Sequence, residues 1–193
     1  MREKIEKVLR DTAAVHEAMV DQAGAIEKAA RLIAQALAAG RGLYVMGNGG
    51  SAADAQHIAG ELVGRFELER RPLRCVSLST DTSILTAVAN DYGFEEIFVR
   101  QVQALVGKGD VVMGISTSGK SANVNCALEE ARRLGAVTIG LTGRIGGAMR
   151  SVCDAIICVP SDSTPRIQEA HQTVIHIICG LVEQTLCAKG PKA

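Results

Sequence analysis

Leu43-Tyr44-Val45-Met46-Gly47-Asn48-Gly49-Gly50-Ser51-Ala52 is the stretch on which the fold turns. Four β-favouring apolar residues run into a glycine cluster, and a helical pattern follows from Ala52 to Arg65. Strand, small-residue loop and helix in that order make one β/α unit. Five such apolar runs follow Gly42: Leu43 to Met46, Cys75 to Leu78, Val111 to Ile115, Val137 to Leu141 and Ala155 to Val159. Strands covered on both faces read as continuous apolar runs rather than as alternation, so these imply a five-stranded parallel sheet. Further helical patterns lie near Ser83 to Asn90, Phe94 to Val106, Ser121 to Leu134 and Gly146 to Ser151. Thr164-Pro165 opens a last, long helix, with Thr164 as N-cap and Pro165 in the first turn. The expectation is an α/β fold, a parallel sheet flanked by helices.

Upstream of that region, from Glu3 to Ala39, apolar residues such as Ile5, Val8, Leu9, Ile26, Ile33 and Leu37 recur at helical spacing until Gly40 and Gly42 stop them. This N-terminal helical hairpin (1–40) precedes every strand and offers a long apolar face suited to packing between subunits. The whole chain of 193 residues reads as a single domain. Lys plus Arg balance Asp plus Glu at 21 each, so no global field recruits nucleic acid or an anionic membrane, and any anion is held locally. The charged start and the lack of a long apolar run predict neither export nor a membrane segment, hence a cytoplasmic protein. Six cysteines without a C-x-x-C motif read as buried reduced thiols, which suits the cytosol.

In a parallel sheet ligands bind beyond the carboxyl ends of the strands, so the loops there hold the candidate chemistry. Gly47 to Ala52 formally satisfies G-x-G-x-x-A, but the second strand ends Ser77-Leu78-Ser79, with no acid to hold a ribose. No Gly-Lys-Ser/Thr follows, which excludes a Walker loop. What remains is a glycine turn that lets a ligand approach the backbone at a helix N-terminus. The second loop, Ser116-Thr117-Ser118-Gly119-Lys120-Ser121, gathers four hydroxyls at the start of another helix. Many donors plus a favourable dipole suit a phosphate monoester, with a ligand-free Ser/Thr capping turn as the plainer alternative.

His57 and Glu61 stand four apart on the helix after the glycine loop and share a face, where they can chelate one metal ion. Gly60 between them implies that something packs closely there. On the terminal helix, Gln168 lies near the start and His176 sits within Val174-Ile175-His176-Ile177-Ile178, so His176 is expected to be buried; His171, beside Gln172, is expected at the surface. Gln168 and His176 are about 12 Å apart along a helix axis. One ion reaches both only if the first turn deviates or the side chains lean together; otherwise the two belong to different subunits' sites.

Taken together, Gly47-Asn48-Gly49-Gly50-Ser51, His57 with Glu61, Asn90-Asp91, Ser116-Thr117-Ser118-Gly119 with Ser121, and Arg166-Ile167-Gln168-Glu169 with His176 resemble the sedoheptulose 7-phosphate isomerase (phosphoheptose isomerase) family of the sugar isomerase (SIS) domain class. The resemblance spans nearly the whole chain. It implies that Ser116, Thr117, Ser118 and Ser121 hold the 7-phosphate, and that Asn48, Gly49, Gly50, Ser51, Asn90 and Asp91 hold sugar hydroxyls. It implies one Zn2+ per subunit on His57, Glu61, Gln168 and His176, with Glu61 and Gln168 also in contact with substrate, Glu61 the base and His176 the acid. It further implies a cytoplasmic homotetramer whose product, D-glycero-D-manno-heptose 7-phosphate, leads to ADP-heptose for lipopolysaccharide core. Two alternatives use the same scaffold: a non-catalytic tetramer that binds the replication initiator, and a sugar-phosphate sensor. Neither needs the His57, Glu61, Gln168 and His176 set.

Overall fold

The computed structural model describes residues 1–187. Five strands, β1 (Leu43–Gly47), β2 (Cys75–Ser77), β3 (Val111–Ser116), β4 (Val137–Gly143) and β5 (Ala155–Val159), form one parallel sheet in the order β2-β1-β3-β4-β5. β1 and β3 are buried along their full length, as expected of strands covered on both faces. Successive side chains point to opposite faces: Leu43 and Val45 enter one core layer, Tyr44 and Met46 the other. The first layer is completed by α2 (Ala23–Ala38), α3 (Gly50–Val63) and α8 (Thr164–Cys187). The second takes α4 (Thr82–Tyr92), α5 (Glu96–Leu105), α6 (Ala122–Arg133) and the short α7 (Met149–Val152).

Three features of this arrangement position the site. The chain leaves β1 outward to β2 and returns on the other side to β3, so the loops after β1 and β3 flank a topological switch point, where a crevice opens. Both α3 and α8 begin beyond the carboxyl edge of the sheet and therefore run side by side in the same direction. Gly50 lies beside Gln168, Asp54 beside Gln172, and His57 beside His176, as rungs between the two helices. Finally, α1 (Arg2–Ala18) has no buried residue and is tied to α8 by Thr12 Oγ1, which donates to Glu169 Oε2 at 3.0 Å, and by His16 Nε2, 2.9 Å from Thr173 Oγ1. A 3-10 turn, Met19–Gln22, joins it to α2. Ile5 and Leu9 on α1 are more than half exposed.

The element boundaries lie within three residues of the sequence reading, and β5 coincides with it. The first helical bond of α8 runs from the Ile167 amide to the Ser163 carbonyl, 2.9 Å, so Ser163 rather than Thr164 is the capping residue, because Pro165 sits comfortably inside the first turn. Of the cysteines only Cys75 and Cys179 are fully buried; the other four are partly covered. Burial still pushes the Cys153 and Cys179 thiols up to about 12. Among the described residues, no helix is long and apolar enough to cross a membrane.

Candidate active site

The glycine loop is made by conformations that a side chain resists. Gly49 caps α3 at φ +56°, and a Cβ on Gly50 would run into the Gln168 side-chain amide. Gln168 therefore packs directly on the loop. The hydroxyl loop turns at Gly119 into α6, where Ser121 occupies the N-cap position without capping. Its Oγ instead pairs with Ser116 Oγ at 2.9 Å, leaving the Ala122 and Asn123 amides that open α6 without a side-chain acceptor at a site that favours anions. Thr117 and Ser118 line a cavity of about 190 Å³ with Lys120, Arg144, Asp162 and Ile167, while Ser116 and Ser121 bond each other.

Across the switch point the two loops are clasped by a residue the sequence reading did not single out. Asn48 Nδ2 donates to Asn123 Oδ1 at 2.9 Å, and Asn123 Nδ2 returns a bond to Asn48 Oδ1 at 2.9 Å. Asn123 is 2% exposed and its Oδ1 also accepts from the Val124 amide. A polar residue two places into a helix that opens on a ligand loop was the available signal. Asn90 and Asp91 lie exposed in the last turn of α4, where the Asn90 amide donates to Asp91 Oδ1 at 2.7 Å. Among the described residues, no hydrogen bond joins them to either loop.

Midway along α3 and α8, three donors converge. His57 Nε2 lies 2.8 Å from His176 Nε2 and 3.6 Å from Glu61 Oε1, and the ligand atoms of all three residues lie within 4.8 Å of one another. His57 and Glu61 are on one helix face by their spacing; His176 arrives because α8 runs parallel beside α3. His176 is exposed, not buried as expected, since it sits at the edge of the helix pair and turns toward His57. Two imidazole nitrogens and a carboxylate oxygen are the donor types that Zn2+ takes. Nitrogens around one tetrahedral Zn2+ sit roughly 3.3 Å apart, so a half-ångström opening of the pair accommodates the ion. The residues present fit a metal. Gln168 is not beside this trio but two helical turns away on Gly50. Gly60 has open space where a Cβ would be, so nothing among the described residues requires a glycine there.

Between these ends lies a buried polar pair. His171, expected at the surface, is fully buried. Its Nε2 meets the Thr142 carbonyl at 3.3 Å and must be the protonated nitrogen, because a carbonyl only accepts. The bare Nδ1 then faces Asp54 Oδ2 at 4.0 Å, and neither atom has a hydrogen-bond partner among the described residues. Burial pushes His171 down to about 4, against the pull of the Thr142 bond. It also raises the Asp54 carboxyl, offset by the Gln172 amide and by His57. His171 is therefore neutral at physiological pH, and the two groups do not form an ion pair. The sequence missed a second buried group, Arg70 with Glu183, because Glu67-Leu68-Glu69-Arg70-Arg71 reads as a solvated charge run.

Comparison with known proteins places the chain. The family model of the SIS domain matches residues 9–143. The phosphoheptose isomerase of Geobacter sulfurreducens is 63% identical over 164 residues, 85% of this chain and 87% of that protein. That of Geobacter sp. strain M21 is 56% identical over 191 residues, 98% of this chain and 100% of that protein. Among solved structures, phosphoheptose isomerase GmhA from Neisseria gonorrhoeae is similar with a TM-score of 0.90 at 40% identity, over 95% of this chain and 98% of that one. A fold with this sheet, this switch point and matches of this length leaves one assignment: the chain belongs to the phosphoheptose isomerase family of SIS-domain proteins.

Proposed function

We propose that the chain interconverts D-sedoheptulose 7-phosphate and D-glycero-D-manno-heptose 7-phosphate at this site. The observation that carries the reading is the convergence of His57 and Glu61, on the helix that opens at the glycine loop, with His176 of α8. Moving a carbonyl between C2 and C1 requires that one proton leave carbon and another reach oxygen, through an enediol. Glu61 is the base that takes and returns the carbon-bound proton. His176 passes the proton between the oxygens. The glycine loop, with Asn48 and Ser51, holds sugar hydroxyls, as do Asn90 and Asp91. Ser116, Thr117, Ser118 and Ser121 hold the phosphate at the N-terminus of α6, where dipole and free amides oppose its charge. Gly50 and His57 are separated by about 10 Å along α3, so the two ends of the site address opposite ends of an extended substrate.

His57, Glu61 and His176 hold Zn2+ in this reading, with Gln168 as the remaining protein ligand. Bound there, the ion polarises the sugar oxygens and stabilises the charge that develops on them. Because α8 is one unbroken helix, its own Gln168 stays on the glycine loop, and the ligand set is completed by Gln168 of a neighbouring subunit. A homotetramer supplies that neighbour. The unburied α1 and an apolar groove of about 550 Å³ between Met19, Ile26, Val174 and Ile177 are surfaces for the assembly. Metal analysis of the purified chain, with an assay before and after chelation, tests the proposal. One equivalent of zinc per subunit and activity restored by Zn2+ support it. Full activity after complete chelation refutes the metal's role.

A further inference from the structure

The chain leaves α3 at Val63 and reaches β2 at Cys75 through a segment without regular structure, and that segment is fixed by one buried carboxylate. Glu183 on α8 is 1% exposed and accepts from the amides of Phe66 at 2.8 Å, Glu67 at 2.9 Å and Leu68 at 2.9 Å, and from Arg70 Nε at 2.8 Å. The Arg70 guanidinium spends its other donors on backbone carbonyls. Nη1 reaches Leu62 at 2.8 Å, Gly64 at 3.1 Å and Arg71 at 3.2 Å, and Nη2 reaches the carbonyl of Glu61 at 2.8 Å. Desolvation alone would raise Glu183, yet the three amides and the Arg70 charge hold it below the usual carboxylate range, so it stays ionised.

Two consequences reach the metal-type cluster. The backbone of Glu61 is pinned directly by Arg70. Phe66, fixed at its own amide by Glu183, lays its ring 5.5 Å from the His176 ring at 33°, on α8 next to Gly180. A Cβ at Gly180 would already lie 3.6 Å from the Phe66 ring, so α8 presents no bulk where the ring rests. His176 therefore stands between Phe66 and His57, whose ring is 5.0 Å away at 55°. An imidazole at the edge of a helix otherwise samples several rotamers. Here the Phe66 ring stands against the imidazole in the orientation that meets His57 Nε2. Replacing a buried ion pair by apolar groups is often neutral for stability, so placement is the contribution to look for.

We propose that Phe66, held by the buried Arg70–Glu183 pair, is a positioning residue that keeps His176 in the orientation that meets His57 and Glu61. The inference rests on the metal reading above. Its test is Co2+ titration of metal-free protein, read by the visible d–d spectrum, with Zn2+ affinity from competition against a chromophoric chelator. Loss of a group that orients a ligand typically weakens metal binding about 10- to 100-fold. Phe66→Ala is expected to show a loss in that range. Phe66→Leu keeps apolar volume against Gly180, and so the fold, but has no aromatic face; it is expected to weaken Co2+ nearly as much and to shift the spectrum. Phe66→Tyr restores the ring and should bind within about threefold of wild type. Wild-type affinity and spectrum in Phe66→Leu overturn this inference alone. A wild-type chain that binds neither Co2+ nor Zn2+ overturns the metal reading and this inference with it.

Discussion

Asn123→Ala tests whether the clasp between the two loops matters for substrate as well as for the fold. The substitution removes three hydrogen bonds: both arms of the pair with Asn48, at 2.9 Å each, and the acceptor for the Val124 amide, also 2.9 Å. Asn48 is half-buried and recovers part of its loss from water, whereas the vacated site at Asn123 is dry. At a net 0.5–1.5 kcal/mol per bond the cost is about 2–4 kcal/mol. For a chain of this size that lowers the thermal midpoint by roughly 4–16 °C. Asn48 is also freed to swing out of the glycine loop, so KM for sedoheptulose 7-phosphate should rise even at temperatures where the variant is fully folded. Asn123→Asp keeps the acceptor for Asn48 Nδ2 and Val124 but turns a second oxygen on Asn48 Oδ1; it is expected to fall between wild type and Ala in stability. Calorimetry and steady-state kinetics at 25 °C supply both readouts. An Asn123→Ala chain with unchanged KM and a midpoint shift under 2 °C refutes the clasp.

His171 gives a pH prediction. Its pKa is pushed down by burial from 6.5 to about 4, so the unfolded chain binds the proton first and stability is lost as pH falls through that interval. Between pH 7.5 and 5 the loss from this group is about 2 kcal/mol, and denaturant midpoints of His171→Gln should lack that part of the slope. For Glu183, whose pKa is lowered from 4.5, the sign gives stability that is complete at neutral pH and lost only as pH drops below that value; acid titration of Glu183→Gln should lack this late loss. Gly50→Ala should separate activity from stability. The new Cβ displaces the end of a flexible Gln168 side chain, so the midpoint holds within about 2 °C while turnover drops, and unchanged turnover would remove Gln168 and the glycine loop from the site. Mixing Glu61→Gln subunits with Gln168→Ala subunits should recover part of the activity neither has alone if one site draws on two subunits; no recovery contradicts the shared ligand set.

The sheet was legible because strands buried on both faces leave continuous apolar runs, and all five fall within two residues of where the sequence puts them. The glycine loop was legible too, since few residues other than glycine suit its turn. Strand order was not, and with it went the meeting of Asn48 and Asn123, which depends on β1 and β3 being neighbours at the switch point. His171 and His176 were read in reverse because hydrophobic neighbours along a helix say little about which face turns inward. The parallel run of α3 beside α8 decides that, and it sends His171 toward β4 and His176 toward His57. Arg70 and Glu183 were hidden for a related reason. Each looks like one more surface charge until the three backbone amides between them show why the carboxylate is inside.

In the proposed reaction Glu61 moves a carbon-bound proton of a ketose phosphate. Sedoheptulose 7-phosphate incubated with the wild-type chain and with Glu61→Gln, product followed by NMR and fold by circular dichroism, tests it most directly. Wild type is expected to convert it to the aldose phosphate, and a folded Glu61→Gln chain to lose roughly a hundred- to ten-thousand-fold in rate. Turnover retained in that variant, or none in the zinc-loaded wild type, contradicts it.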